Sequence, residues 1–305
     1  MNVPGSKPKR RLRTALVSPR KPTPNIDLYS QLDGDYHRLV RSKFYYGHIA
    51  RTEERHFRNA LRALPKGAAV LDVGCGDAHF ALLAAATGQG FQVAAVDPAP
   101  GMRHAAREAA RRRNLDISVQ DGDVLALPFP DGSFDFVLCV GSVINHCQTP
   151  AAGLAELGRV LRPGGFLMLD LENQETFERD GGKPLAVAGG DNSSPVYEWS
   201  FLVDGTERLV TLSLIGHHQV VGALASQAMR VVSRSGIHIL TRPFPFTNES
   251  AHFVERKPVP RGLRMLARID ALLARLPVAI SRSGVELVLC RKDPPTPKRS
   301  DSNLV

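Results

Sequence analysis

At 305 residues the chain is long enough for one large domain or two small ones, and 43% apolar residues can fill a core. No run approaches the ~20 apolar positions of a membrane-spanning helix, and the first residues show no apolar stretch of the secretory kind. The net charge of +9 raises anionic partners, yet Lys7, Lys9, Arg10, Arg11, Arg13, Arg20 and Lys21 all precede the first acid, Asp27.

Much of the excess charge therefore belongs to a leader. Residues 1–26 mix those cations with Pro4, Pro8, Pro19, Pro22 and Pro24, which reads as disordered and allows weak contact with an anionic membrane. The four cysteines, Cys75, Cys139, Cys147 and Cys290, form no C-x-x-C pair, and no histidine group completes a zinc spacing. The expectation is a reduced, cytoplasmic protein with no metal.

From Asp27 to Ala63 the pattern turns helical, with Leu39, Phe44, Ile49, Phe57 and Leu61 on one broad face. Short apolar runs then alternate with helical stretches. Strands are expected at Ala68–Val73, Phe91–Val96, Leu115–Val119, Phe134–Val140 and Phe166–Leu171. Helices are expected at Ala78–Thr87, Gly101–Arg113 and Ala151–Leu161. Continuous apolar strands separated by helices indicate a parallel sheet covered on both faces, an α/β doubly wound fold.

Beyond it, Gly181–Pro195 reads as a loop. Glu198–Val203 and Glu207–Leu214 flank Asp204-Gly205, a hairpin signal. Residues 219–235 read as helical and Ile237–Thr241 as a strand. Leu263, Leu266, Ile269, Leu272, Leu273 and Leu276 form an amphipathic stripe before Pro277, with Arg261, Arg264, Arg268 and Arg275 beside it. Such a stripe either packs on the sheet or lies on anionic lipid. Val285–Cys290 is the last strand, and 292–305 reads as a disordered tail.

The first site candidate is Leu71-Asp72-Val73-Gly74-Cys75-Gly76-Asp77, directly after a strand and before a helix. Gly74 and Gly76 permit a tight turn and close approach of a ligand to the backbone. A nicotinamide loop would place a third glycine where His79 stands, and Asp72 would repel a pyrophosphate but attract an ammonium. Asp97, after the second strand, can accept both hydroxyls of a ribose or serve a turn. Asp123, in Asp121-Gly122-Asp123-Val124, can accept from an adenine amino group, with the Val124 N–H reading the ring. In a doubly wound sheet these strand ends line one crevice.

These residues resemble class I S-adenosylmethionine-dependent methyltransferases of the bacterial small-molecule type. The resemblance rests on Val70–Gly76, on Val96-Asp97-Pro98 with Met102, on Gly122–Phe129, on Ser133–Val137 and on Glu156–Gly165. It covers roughly residues 66–173. It implies a seven-stranded sheet, mostly parallel, whose last strand is antiparallel. It implies that Asp72, Gly74, Cys75 and Gly76 hold the methionine part of S-adenosylmethionine. Asp97 and Pro98 would serve the ribose, Met102 would pack on the adenine, and Asp123 and Val124 would read its edge. Val140 and Gly141 would line the junction with the acceptor. The domain would run from 27 to 291, with a helical lid at 27–65 and an insertion at 174–235.

Methyl transfer from a sulfonium needs a base only when the acceptor must lose a proton. In Gly141–Cys147, His146 is the candidate base; its alternative is a histidine bonded to the local backbone. Asn145 could orient an acceptor or cap a turn, and Asp170, Glu172 and Asn173 also reach the crevice. Tyr45, Tyr46, Arg51, Tyr197, Trp199, His217 and His218 are the lid residues to follow.

A small-molecule or lipid-like acceptor is the leading reading. An RNA or protein methyltransferase is the second: the fourth strand ends in Cys139-Val140-Gly141-Ser142, unlike the Asn-Pro-Pro-Tyr run that holds a flipped base, and no aromatic-basic track for a single strand is present. Nucleic acid is therefore not expected as a partner. A binding module without turnover is the third, and the intact Asp72, Asp97 and Asp123 speak against it. Neither the methylated atom nor the oligomeric state is legible.

Overall fold

The computed structural model describes residues 25–30, 41, 44–179, 195–203, 206–241 and 261–294, and of 179, 198–203 and 206–209 the backbone alone. The basic leader before Asn25, the tail after Pro294, most of the 181–195 loop, Leu39 and the Asp204-Gly205 turn lie outside them. So does the side chain of Trp199.

In chain order the elements are α1 (Ile26–Ser30), α2 (Phe44–Arg62), β1 (Ala69–Val73), α3 (His79–Ala85), β2 (Gln92–Asp97), α4 (Pro100–Arg113), β3 (Ser118–Asp121), β4 (Phe134–Cys139), α5 (Val143–His146) and α6 (Pro150–Val160). They continue with β5 (Leu161–Glu172), α7 (Gln174–Arg179), β6 (Val196–Val203), β7 (Thr206–Ser213), α8 (His217–Ser226), β8 (Met229–Ile237), α9 (Arg261–Leu273), α10 (Pro277–Ile280) and β9 (Val285–Lys292).

The main sheet has seven strands in the order β3-β2-β1-β4-β5-β9-β8. β1 to β5 pair in parallel, and β9 lies antiparallel between β5 and β8. Strand order reverses between β1 and β4, so the crevice opens at the carboxyl ends of those strands, where the Gly74–Gly76 loop lies. The doubly wound expectation holds.

Side chains alternate across each strand, which sorts them into two cores. Leu71, Val73, Val137, Cys139, Leu167 and Leu169 meet α6 and α8 through Leu154, Leu157, Val220 and Leu224. Val70, Ala95, Phe136, Leu138 and Met168 meet α2, α3 and α4 on the other face. Ile49, Phe57 and Leu61 of α2 dock there, and truncating the buried Phe57 to alanine would cost about 3–5 kcal/mol. The same alternation puts Asp72, two residues after Val70, and Asp170, two after Met168, on the α2/α3 face.

Two stretches differ from expectation. Ile237–Thr241, expected as a strand, holds only the last residue of one, Ile237, after which His238 turns the chain at φ +60°. Residues 219–235 divide into a helix ending at Ser226 and a strand starting at Met229. Ala228 takes φ of +54° and ends the helical turn, and Met229–Val231 and Ser233–Ile237 then pair with β9 as an edge strand, with the β-branched Val232 bulging between them. The hairpin holds: Val203 pairs with Thr206, leaving two residues between the strands.

Candidate active site

The glycine loop follows from local sterics. Gly74 sits at φ +68°, and a Cβ there would lie 2.4 Å from Val143 Cγ2. Gly74 and Cys75 donate N–H bonds to the Val96 carbonyl at 2.9 and 3.0 Å, tying the loop to β2. Asp72 is buried and accepts the Ala81 N–H at 3.0 Å, so it caps the first turn of α3 from beneath. Burial lifts its pKa to about 7 against that bond.

Asp97 closes the next strand. Its Oδ2 accepts the Gly76 N–H at 2.9 Å and its Oδ1 the Ala99 N–H at 2.9 Å. Each oxygen keeps a further lone pair for a hydroxyl. Burial raises its pKa, while the two N–H groups and Arg103 oppose the rise. Pro98 is half-buried beside it, and Met102 and Val124 are buried apolar groups. Asp123 forms a turn, its Oδ1 accepting the Leu125 N–H at 2.9 Å.

His79 points away from this loop. Its Nε2 lies 3.3 Å from Glu54 Oε2 of α2 and 3.3 Å from Arg41 Nη1. Burial lowers the ring's pKa to about 4, against the pull of Glu54. Despite its own partial burial, Glu54 is held down at about 2 by hydrogen bonds from Arg58 and Arg41. The bulk at the third-glycine position thus braces α2 against α3.

Several other motif residues are also braces. Asp135 accepts the Ala69 N–H at 2.8 Å and pairs with Arg162 at 2.6 Å. Glu156 accepts the Leu127 N–H at 2.7 Å, and Arg159 donates to the Phe129 and Leu127 carbonyls. Together they hold the segment that follows Asp123.

The acceptor side is assembled from more distant parts. Gly141 is exposed at φ +85° and Ser142 takes φ +57°. The Ser142 N–H donates to both oxygens of buried Asp170, at 2.9 and 3.1 Å, and its hydroxyl to Glu172 at 3.3 Å. Asn145, fully buried, accepts the Glu172 N–H and donates to the Ser213 carbonyl, joining β5 to β7. Asn173 donates to the Ile280 carbonyl at 3.3 Å.

His146 is half-buried under α1. Asn25 pairs with the Thr211 backbone through both amide atoms, which fixes its Nδ2 as the group 2.9 Å from His146 Nδ1. An amide nitrogen only donates, so Nδ1 accepts and the ring proton sits on Nε2, 3.2 Å from the Tyr29 hydroxyl. Burial pushes the ring's pKa down to about 4, so it is neutral at pH 7. α1 also reaches α4: a Cβ on Gly101 would meet the Ser30 carbonyl at 2.3 Å.

Sequence reasoning missed Glu53. It lies on α2, 3% exposed, one turn before Phe57, and its Oε1 has no hydrogen-bond partner among the described residues. Burial raises its pKa well above the carboxylate range, and the neighbouring acids Asp170 and Glu172 add to the rise. Burial beside two other acids therefore favours the protonated form of Glu53. A buried acid on an otherwise apolar helical face was the only available signal.

Of the lid residues, Tyr45 stacks on His238 at 4.0 Å and Tyr46 meets Tyr45 edge-on. Tyr197 is buried with Phe177, Leu212 and Leu214 and hydrogen-bonded to Glu178. Arg51, His217 and His218 are exposed.

Residues 71–169 match the family model described as a methyltransferase domain. The demethylmenaquinone methyltransferase of Thermus thermophilus is 37% identical over 131 residues, 43% of this chain and 58% of that protein. The malonyl-(acyl-carrier protein) O-methyltransferase of Serratia marcescens is 38% identical over 103 residues, 33% of this chain and 37% of that protein. The chain thus spans less than two thirds of the length of either relative. An S-adenosylmethionine-dependent methyltransferase from Clostridium acetobutylicum shares the fold, with a TM-score of 0.50 at 12% identity over 88% of this chain and 96% of that one. Residues 71–169 are thus similar to methyltransferase domains, and the seven-stranded fold is shared with an S-adenosylmethionine-dependent enzyme. Among the described residues, no helix is long and apolar enough to cross a membrane.

Proposed function

We propose that this chain methylates a small-molecule or lipid-like acceptor, with S-adenosylmethionine as donor. The observation that carries the reading is Asp97: a carboxylate at the end of β2, braced by Gly76 and Ala99, facing the crevice beside a loop with no third glycine. That set suits an adenosyl group without phosphates. Asp97 and Pro98 hold the ribose, Met102 and Val124 wall the adenine, and Asp123 accepts its amino group. Gly74, Cys75 and Gly76 shape the methionine end, with Asp72 supporting the loop from below. Val140 and Gly141 adjoin the acceptor.

When bound, the cofactor supplies a methyl group already activated by positive sulfur. The chain has then to position the acceptor and receive a proton where one is lost. Glu53 Oε1 is a buried oxygen awaiting a donor, and it takes an N–H or O–H of the acceptor. His146 serves as a base only with α1 lifted, because Asn25 covers its one free lone pair. The unpaired thiols of Cys75, Cys139, Cys147 and Cys290 support a reducing compartment, the cytoplasm.

The test is calorimetric titration with S-adenosylmethionine and, separately, NADH, followed by labelled-methyl transfer to panels of quinols, carboxylic acids and amines. Sulfonium binding with turnover on one panel is the expected result. Sulfonium binding with no turnover on any panel would favour a binding module, and NADH binding would overturn the reading.

A further inference from the structure

The amphipathic stripe after residue 260 is only half used by the fold. A helix advances about 100° per residue, so Leu263 and Asp270 fall within about 20° of each other. Both are buried, at 6% and 1% exposure, and define the face of α9 that meets the protein. Asp270 is fastened there, accepting the Leu240 N–H at 2.7 Å and the Thr241 hydroxyl at 2.8 Å. Met265 and Leu272 also fall within about 20° of each other, but on the opposite side. They are 59% and 82% exposed.

The apolar surface continues past the helix end. Leu276 and Val278 are 52% and 67% exposed, so most of the large exposed hydrophobics among the described residues lie in this one segment. Isolated exposed apolar residues need no explanation, but a contiguous group does.

What borders the group says what it meets. Arg261, Arg264 and Arg268 lie within about 60° of one another, directly beside Met265 and Leu272. Arg275 and Arg282 follow, and all of these arginines are exposed. The only acid between Arg261 and Arg282 is Asp270, which is buried and hydrogen-bonded. An apolar strip flanked by uncompensated arginines is complementary to a surface that is apolar beneath and anionic on top.

We propose that the outer face of α9, continued through Leu276 and Val278, docks the protein on an anionic lipid bilayer. Met265, Leu272, Leu276 and Val278 enter the headgroup boundary, and the arginines pair with lipid phosphates. β8 runs parallel to β1–β5, so Leu240, three residues past its end and where α9 is fastened, lies at the same edge of the sheet as the crevice. A docked bilayer therefore borders the acceptor side. Delivery of a lipid-like acceptor from it rests on the methyl-transfer reading; the docking itself does not.

The test is co-sedimentation of the full chain with phosphatidylglycerol vesicles and with phosphatidylcholine vesicles. It is repeated for Leu272→Glu/Leu276→Glu and for Arg264→Glu/Arg268→Glu, with circular dichroism to confirm folding. These side chains are exposed, so the fold should tolerate the changes. The expected result is binding to phosphatidylglycerol only, weakened about tenfold or more in both variants and by added salt. Failure to bind phosphatidylglycerol would overturn the proposal. So would binding that survives both variants and is lost on deleting residues 1–24, which would assign the attachment to the leader. A dimer in light scattering that dissociates in the leucine variant, with no vesicle binding, would make the face an interface between copies. Vesicle binding with no methyl transfer would leave the docking standing and count against the catalytic reading alone.

Discussion

The two halves of the crevice are built over different distances along the chain. On the cofactor side the bonds are short in sequence: Asp72 to Ala81 spans 9 positions, Asp97 to Ala99 spans 2, and Gly76 to Asp97 spans 21. On the acceptor side Asn25 meets His146 across 121 positions and Thr211 across 186, and His238 meets Tyr45 across 193. The first half is a set of strand-end turns, each specified by its own residues. The second exists only once α1, α2, β5 and β8 have converged. A local site keeps its form when distant parts vary, whereas a converged site changes its acceptor by changing one helix.

The sharpest test of that division is Asp97→Ala. It removes two prospective charge-assisted bonds to a ribose, each worth roughly 1.5–3 kcal/mol. Affinity for S-adenosylmethionine should fall about a thousandfold, some 4 kcal/mol, by calorimetry. Asp170→Asn, on the other side, should leave it within about threefold. Equal losses in the two variants would mean the halves are one site.

The next effect is a pH dependence on the acceptor side. His146 has its folded pKa depressed to about 4 by burial, against the usual 6.5. The unfolded chain therefore binds more protons between those values. The stability that neutral His146 provides is complete above pH 6.5 and is lost as pH falls through 4. Relative to His146→Gln, the native chain should lose up to about 3 kcal/mol over that window, read from denaturant melts. Parallel profiles would mean that α1 does not enclose the ring.

Glu53→Met should separate stability from activity. It replaces a buried carboxyl, one of whose oxygens has no partner among the described residues, with an apolar group of similar size, so the fold should gain about 1–3 kcal/mol in chemical denaturation. Methyl transfer should fall about tenfold or more, because the oxygen offered to the acceptor is gone. A stabilised variant of undiminished rate would remove Glu53 from the reaction.

These differences in reach also explain what could be read in advance. Strand ends carrying Asp72, Asp97 and Asp123 were legible, because strand, turn and helix signals sit side by side in the chain. The antiparallel β9 was legible only through the family resemblance. The burden carried by Glu156, Arg159 and Asp135 was not: spacing marks them as motif residues, but only the packed loops show them bracing backbone rather than lining the crevice. Glu53 was passed over because an acid on a helix is ordinarily solvated, and its burial depends on Asp170 arriving from beyond residue 160. His146 was found, but its Asn25 partner was assigned to the leader. Residues 229–235 misled because helix and edge strand share an irregular polar pattern, and only pairing with β9 decides between them.

The smallest expected effect falls at His79, where a nicotinamide-binding loop would carry its third glycine. A bulky ring directly after the glycine loop reads as an obstruction to the ligand. The ring instead lies against Glu54 and Arg41, on the α2 side of α3. Were it an obstruction, His79→Ala would tighten cofactor binding. As a brace between helices, its removal should change S-adenosylmethionine affinity by less than about threefold and cost about 1 kcal/mol of stability, since the lost contact is a partly buried hydrogen bond in a charged cluster. Glu54→Gln should have the same small thermodynamic cost, because it loosens the same junction from the other helix. Combining the two should then cost little more than either alone, as expected for residues sharing one contact. Additive losses would separate His79 from α2 and return it to the ligand's side of the loop.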